Sequence, residues 1–232
     1  MSDAVTILGL SKSYGRRAVL SGLDLTVPRG SIVGLLGPNG CGKTTMMKIL
    51  AGMIRDYQGE VRIGTTPPSV ETKSMVAYLP DVAFLAPGMN GWDAVRFFSD
   101  FFADFDRDRA VDLLKRFGLD ANQKVKTMSK GMVEKLQLML VLSRRAKLYL
   151  LDEPLGGVDP ATRDVILDLI LGNYAEDSAV LISTQLIGEI ERIFDRVVFL
   201  RDGKNFLSGE VDALRQQTGK SMDALFREVY QC

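Results

Sequence analysis

Apolar and polar positions alternate at both ends of the first thirty residues, with Val5 and Ile7 and then Leu23, Leu25 and Val27 falling on alternate positions. A period of two predicts half-buried strands, ended by the turn residues Pro28-Arg29-Gly30. The next run, Ile32-Val33-Gly34-Leu35-Leu36, has no polar position, which predicts a strand buried on both faces as in a parallel sheet. A helix is predicted over residues 43–50, and short strands over 60–63 and 74–79. From residue 90 to about 117 the period becomes helical. Trp92, Val95, Phe98 and Phe102 recur three or four apart, and Val111, Leu113, Leu114 and Phe117 precede Gly118, so a helical insert is expected here. A further helix after Ser129 carries Leu136, Met139 and Leu140, and a strand follows over 147–151. Asp159-Pro160 reads as a helix N-cap with proline at the first helical position. A strand (179–183), a helix (186–194), a strand (196–200) and a hairpin turn at Asp202-Gly203 complete the pattern. Strands alternating with helices predict an α/β fold around a parallel core.

Composition narrows the class. The chain has 232 residues, 46% hydrophobic and 25% charged, which suits one compact unit over residues 1–232 with a sizeable core. Lys plus Arg (29) balance Asp plus Glu (29), so no net positive field draws in nucleic acid, and no such partner is expected. Cys41 and Cys232 lack the spacing of a metal site or disulfide framework, which predicts a reducing, cytosolic setting. Met1-Ser2-Asp3-Ala4 does not open a basic-then-apolar secretion signal, and no apolar run approaches the ~18 residues that cross a bilayer. A membrane path would therefore be made by another chain. Histidine is absent from the sequence, which excludes imidazole bases, Ser-His-Asp triads and His-ligated metals. Chemistry falls to carboxylates, amides, hydroxyls, Lys and Arg.

Gly37-Pro38-Asn39-Gly40-Cys41-Gly42-Lys43-Thr44, with Thr45 behind it, fits the phosphate-loop pattern G-x-x-x-x-G-K-[ST] between a predicted strand and a predicted helix. Glycines let backbone NH groups curl round phosphates, and the helix N-terminus adds partial positive charge. Lys43 reaches the β and γ phosphates of ATP, and Thr44 ligates Mg2+. Cys41 reads as a small loop filler rather than a redox switch. Downstream, the apolar run Leu148-Tyr149-Leu150-Leu151 ends in Asp152-Glu153, carboxylates at the carboxyl end of a parallel strand where ligands bind. Asp152 suits magnesium, and Glu153 suits activation of the attacking water.

Met128-Ser129-Lys130-Gly131-Met132 then opens a helix with Ser129 as its N-cap. In this order the motifs resemble the ATP-binding subunits of ABC transporters over essentially the whole chain. The resemblance implies a phosphate-loop NTPase with a mostly parallel core sheet, an N-terminal antiparallel β subdomain and a helical subdomain of about residues 84–145 inserted within it. Ser129-Lys130-Gly131-Met132 would be the signature that meets the partner's ATP. Tyr14 would stack on adenine, and Asp159 would lie in the dimer loop. The implied assembly is a head-to-tail homodimer or heterodimer with two sandwiched ATP molecules, peripheral on the cytoplasmic face of the cell membrane beneath separate multi-span subunits. The short amphipathic tail over 223–230 resembles compact bacterial export-type subunits.

Three positions depart from the family. After Tyr78-Leu79-Pro80, where the family has a glutamine touching magnesium and water, this chain has Asp81. After Ile182-Ser183-Thr184, where the family has histidine, it has Gln185, which can donate an amide hydrogen bond and never an imidazolium charge. Lys130 replaces the first signature glycine. Hydrolysis is expected, with a nucleotide-gated regulatory module of weak or vestigial hydrolysis as the alternative. A soluble ABC-type protein of translation or repair and a phosphate-loop kinase fit the motifs less well. Trp92, Phe97, Phe98, Phe101, Phe102 and Phe105 exceed one buried face; they either pack the insert or leave an exposed groove for a membrane subunit.

Overall fold

The computed structural model describes residues 3–172 and 177–230; Met1, Ser2 and Cys232 lie outside them. Two sheets carry the fold. Strand β1 (Val5–Tyr14) pairs antiparallel with both β2 (Arg17–Val27) and β4 (Gln58–Ile63), giving the order β2-β1-β4. The larger sheet joins β3 (Ser31–Leu36), β5 (Val76–Leu79), β6 (Leu148–Asp152), β7 (Ala179–Thr184), β8 (Arg196–Arg201) and β9 (Lys204–Glu210) in the order β5-β6-β7-β3-β8-β9. All neighbours in it are parallel except β9, which returns antiparallel to β8. The mostly parallel core is as the hydrophobic pattern predicts, and the antiparallel N-terminal subdomain is as the family resemblance implies.

The continuous apolar runs follow from burial on both faces. Val33 and Leu35, with Leu148, Leu150 and Leu181, pack beneath β1, β2 and helix α1 (Lys43–Leu50). Their alternates Ile32, Leu36, Leu151 and Ile182 face the opposite core, with helices α3 (Gly91–Phe101), α4 (Arg107–Arg116), α5 (Lys130–Leu142) and α6 (Pro160–Leu171). Gly34, in the middle of β3, is required by close approach: a Cβ there would sit 2.6 Å from the Phe194 ring.

Three predicted elements divide differently. Residues 74–79 are not one strand: helix α2 (Val70–Met75) runs up to Met75, and β5 starts at Val76. A reciprocal cap starts α2, in which Thr72 N donates to Ser69 Oγ and Ser69 N donates to Thr72 Oγ1. The helical insert over 90–117 is two helices, because Asp106 caps α4 through Arg109 N, and Asp106 N donates to Ser143 O at 2.7 Å. The helix predicted over 186–194 is one turn, α7 (Ile187–Ile190), followed by a 3-10 turn at Glu191–Ile193. Glu191 is drawn off by Arg215 and by Asp223 N, on helices α8 (Val211–Thr218) and α9 (Met222–Tyr230). The Asp159-Pro160 start of α6 forms as expected, and so does the Asp202-Gly203 turn, whose two residues are at positive φ.

The insert is tied to the sheet edge by Arg144, just after α5, which reaches Asp104 between α3 and α4 and the carbonyls of Ser74 and Val76. The aromatics divide between packing the insert and standing exposed. Phe98 is buried against Phe102 and Phe105, whereas Phe97 and Phe101 are exposed. Phe84, Phe97, Phe98 and Phe102 line an apolar groove with Ala51 and Met53. Among the described residues no helix is long and apolar enough to cross a membrane.

Candidate functional site

Four of the five parallel strands deliver candidate groups at their carboxyl ends. The loop over residues 37–42 follows β3, Asp81 follows β5, Asp152 and Glu153 close β6, and Gln185 follows β7. They meet at a cavity of about 560 Å³ that Tyr14, Asn39, Lys43 and Thr44 also line. Strand order explains the convergence. β3 lies beside β7, β6 is next, and β5 is at the edge, so four segments far apart in sequence end side by side.

The loop is shaped by Gly42, whose φ of 109° only glycine adopts without strain, and where a Cβ would meet Leu20 Cδ2 at 2.6 Å. As the N-cap of α1, Gly42 supplies no capping side chain, so the first NH groups of that helix are left for a ligand. Lys43 is buried, and its ammonium donates to Gly37 O at 2.6 Å and Pro38 O at 3.2 Å, which holds it across the loop. Burial pushes the Cys41 thiol up, against the attraction of Lys43, so it lacks the thiolate character of a reactive cysteine.

The acidic pair is held by Ser183 on β7. Its Oγ donates to Asp152 Oδ1, while Glu153 N donates to both Ser183 O, at 3.0 Å, and Ser183 Oγ, at 3.2 Å. Asp152 is 2% exposed, and its Oδ2 is buried without a hydrogen-bond partner. Such an atom is costly alone and fits a cation. Glu153 holds a left-handed backbone with φ 50°, an uncommon conformation for a non-glycine residue. Its carboxylate accepts from Gln185 N at 3.2 Å and from Gln185 Nε2 at 3.4 Å, and the same amide donates to Asn39 Oδ1 at 2.8 Å. Gln185 therefore ties the phosphate loop to the carboxylate by hydrogen bonding alone.

Burial pushes Glu153 up, against the opposing effects of Gln185 and Lys43. Asp81 is also pushed up, first by burial and then by Asp152, with Lys130 and Lys43 opposing. An added carboxylate beside Asp152 thus makes the site hungrier for positive charge. Asp152, Asp81 and Thr44 suit a hard, oxygen-seeking ion that fills its remaining positions with phosphate and water.

Of the signature residues, Lys130 reaches the edge of this cavity, while Ser129, Gly131 and Met132 are not among its lining residues. Ser129 caps α5 by accepting from Met132 N at 3.3 Å. Asp159 caps α6 through Thr162 and pairs with Lys135, away from the cavity, and these bonds depress its carboxyl. Two of the neighbours that the sequence does not single out bear on the site. Arg17 lines the cavity, its guanidinium 3.4 Å from where a Cβ on Gly40 would stand, and the only signal is the basic pair after Tyr14-Gly15. Ser183, an ordinary strand serine in sequence, is the second.

Fold and site together define a phosphate-loop nucleotide-binding protein. Residues 20–156 match the model of the ABC transporter family. The uncharacterised ABC transporter ATP-binding protein YdbJ of Bacillus subtilis is 33% identical over 93% of this chain and 72% of its own. The daunorubicin resistance ATP-binding protein DrrA3 of Streptomyces coeruleorubidus is 32% identical over 100% of this chain and 76% of its own. A solved ATP-binding subunit of an ABC transporter superposes with a TM-score of 0.88 at 27% identity, covering 98% of this chain and 99% of that one. The chain belongs to the ABC transporter family, as an ATP-binding cassette. It binds ATP and is an ATPase.

Proposed function

We propose that this chain is the motor subunit of an exporter, closing head-to-tail on a second such subunit around two ATP molecules, on the cytoplasmic face beneath separate multi-span membrane subunits. The observation that carries it is the meeting of Lys43, Asp152, Glu153 and Gln185 around one cavity, with Lys130 of the signature at its edge. An export role is supported by relatives named for daunorubicin resistance and, in Mycobacterium tuberculosis, for fluoroquinolone export. Residues 1–232 act as one ATP-binding domain with a helical subdomain of about residues 84–145, and the groove beside Phe84 and Phe97 takes the membrane subunit.

In this reading Tyr14 stacks on adenine, residues 37–45 cradle the phosphates and Lys43 meets the β and γ groups. Thr44, Asp152 and Asp81 would hold Mg2+, which neutralises charge on the transferred phosphoryl. Glu153 takes the proton of the attacking water, and Gln185 fixes that carboxylate through its backbone NH and its amide. Ser129, Lys130, Gly131 and Met132 close on the partner's γ-phosphate, with Asp159 at the shared surface. The test is the mass of the purified chain by light scattering. A dimer is expected with ATP under conditions that slow hydrolysis, and a monomer without it; a chain that stays monomeric with ATP bound overturns the sandwich.

Gln185→Ala separates the amide from the backbone contact, since the residue's NH still reaches Glu153. Loss of the Nε2 bonds to Asn39 and Glu153 is expected to lower turnover about tenfold, with ATP affinity little changed. Unchanged phosphate release would remove Gln185 from the mechanism.

A further inference from the structure

Lys12 is a buried charge that the proposed function leaves unused. It lies near the end of β1, between two breaks in the β1–β2 register, a place where irregular pairing re-aims a side chain. Its side chain is 6% exposed, and its Nζ donates to Asp56 at 2.5 Å, while Asp56 itself is 84% exposed. A buried ammonium held by one solvent-washed carboxylate contributes little as an ion pair. The same Nζ lies over the Tyr14 ring, 4.7 Å from its centroid.

The two sides of that ring differ. Tyr14 is 50% exposed and lines the nucleotide cavity, whereas Lys12 lines a separate hollow with Asp56, Tyr57 and Gln58. The cation is not among the groups that line the nucleotide cavity. We infer that Lys12 is a positioning residue for the nucleotide base: anchored by Asp56, it grips the Tyr14 ring from behind and presents the other face to adenine. This rests on the reading that Tyr14 stacks on the base. A cation over one face immobilises the ring before ligand arrives and draws electron density away from the face left free. Both effects favour stacking by an electron-rich purine. Neither touches the phosphates, so the consequence belongs to the base alone.

Calorimetric titration with ATP and with inorganic tripolyphosphate, each with magnesium, separates the two contributions. Lys12→Met keeps the apolar stem and leaves behind only an exposed carboxylate. It is expected to weaken ATP about three- to fivefold, with tripolyphosphate affinity and melting temperature unchanged. Lys12→Arg, which can still pair with Asp56 and cover the ring, is expected to restore ATP binding. Tyr14→Leu is expected to weaken ATP about tenfold, again without effect on tripolyphosphate, and Lys12→Met added to it should change nothing further. If Tyr14→Leu weakens ATP while Lys12→Met does not, or if Lys12→Met weakens both ligands alike, the positioning role is overturned and base stacking stands. If Tyr14→Leu leaves ATP affinity unchanged, the stacking reading fails and the role of Lys12 fails with it.

Discussion

Glu153→Gln is expected to keep ATP affinity within about threefold while reducing steady-state phosphate release by roughly 100-fold or more. The substitution is close to isosteric, so the left-handed backbone at this position and its bonds to Ser183 are retained. The amide oxygen still accepts from Gln185 N. What is lost is the carboxylate basicity that takes the proton from water, and with no histidine in the chain no imidazole can replace it. The pH dependence gives an independent check. Burial raises the Glu153 carboxyl above the ordinary carboxylate range, and only its deprotonated form is a base. Activity should rise with pH through that raised value, and the rise should be missing from whatever hydrolysis remains in Glu153→Gln. Gln185 stabilises the charged carboxylate, so Gln185→Ala should move the same limb to higher pH. Phosphate release within a few-fold of the unmodified chain, with the acid limb intact, would remove Glu153 from catalysis.

The parts of the site that were legible in sequence are those written locally. Residues 31–50 form strand, loop and helix as the pattern requires, because the apolar run, the glycines and the lysine are contiguous. Asp152 and Glu153 are read the same way from the strand before them. What escaped depends on residues far apart. Ser183 holds both acids across 31 and 30 positions, and the sequence marks it as one more strand serine. The junction at Met75 was missed because the cap uses Thr72 at the third helical position, where glutamate or glutamine is the usual signal. The break between α3 and α4 was masked by aromatics whose spacing continues across it. Residues 102–106 leave the helix because Arg144, 40 positions away, supplies partners there. Lys12 and Tyr14 are two apart on β1 and so share a face, yet nothing in the local sequence marks this lysine as the buried one.

That same Arg144 should be the residue whose loss costs the fold most. It is 3% exposed and spends its guanidinium on three segments. Nε and Nη2 form a bidentate pair with Asp104 at 2.9 and 3.0 Å, Nη1 donates to Val76 O at 2.6 Å, and Nη2 donates to Ser74 O at 2.6 Å. Its Cζ also covers the Phe102 ring, 3.9 Å from the centroid. Arg144→Met fills much of the volume but strands the Asp104 carboxylate and two carbonyls. Breaking such a pair from one side costs about 3 kcal/mol, which for a chain of this size lowers the melting temperature by roughly 6 to 12 °C. Asp104 is partly exposed and can recover some solvation, so the lower half of that range is the expectation. Arg144→Lys keeps the charge yet cannot serve the carboxylate and both carbonyls at once, and should fall between the two. Adding Asp104→Asn to Arg144→Met removes the stranded charge and should restore part of the loss. Because Arg144 ties the connection between α3 and α4 to the start of β5, the destabilised chain should open first at the insert. Hydrogen exchange in residues 91–116 should accelerate before exchange in β3 and β7. A melting temperature unchanged in Arg144→Met, or exchange that rises equally in both regions, would show that the insert is held by its apolar contacts without this arginine.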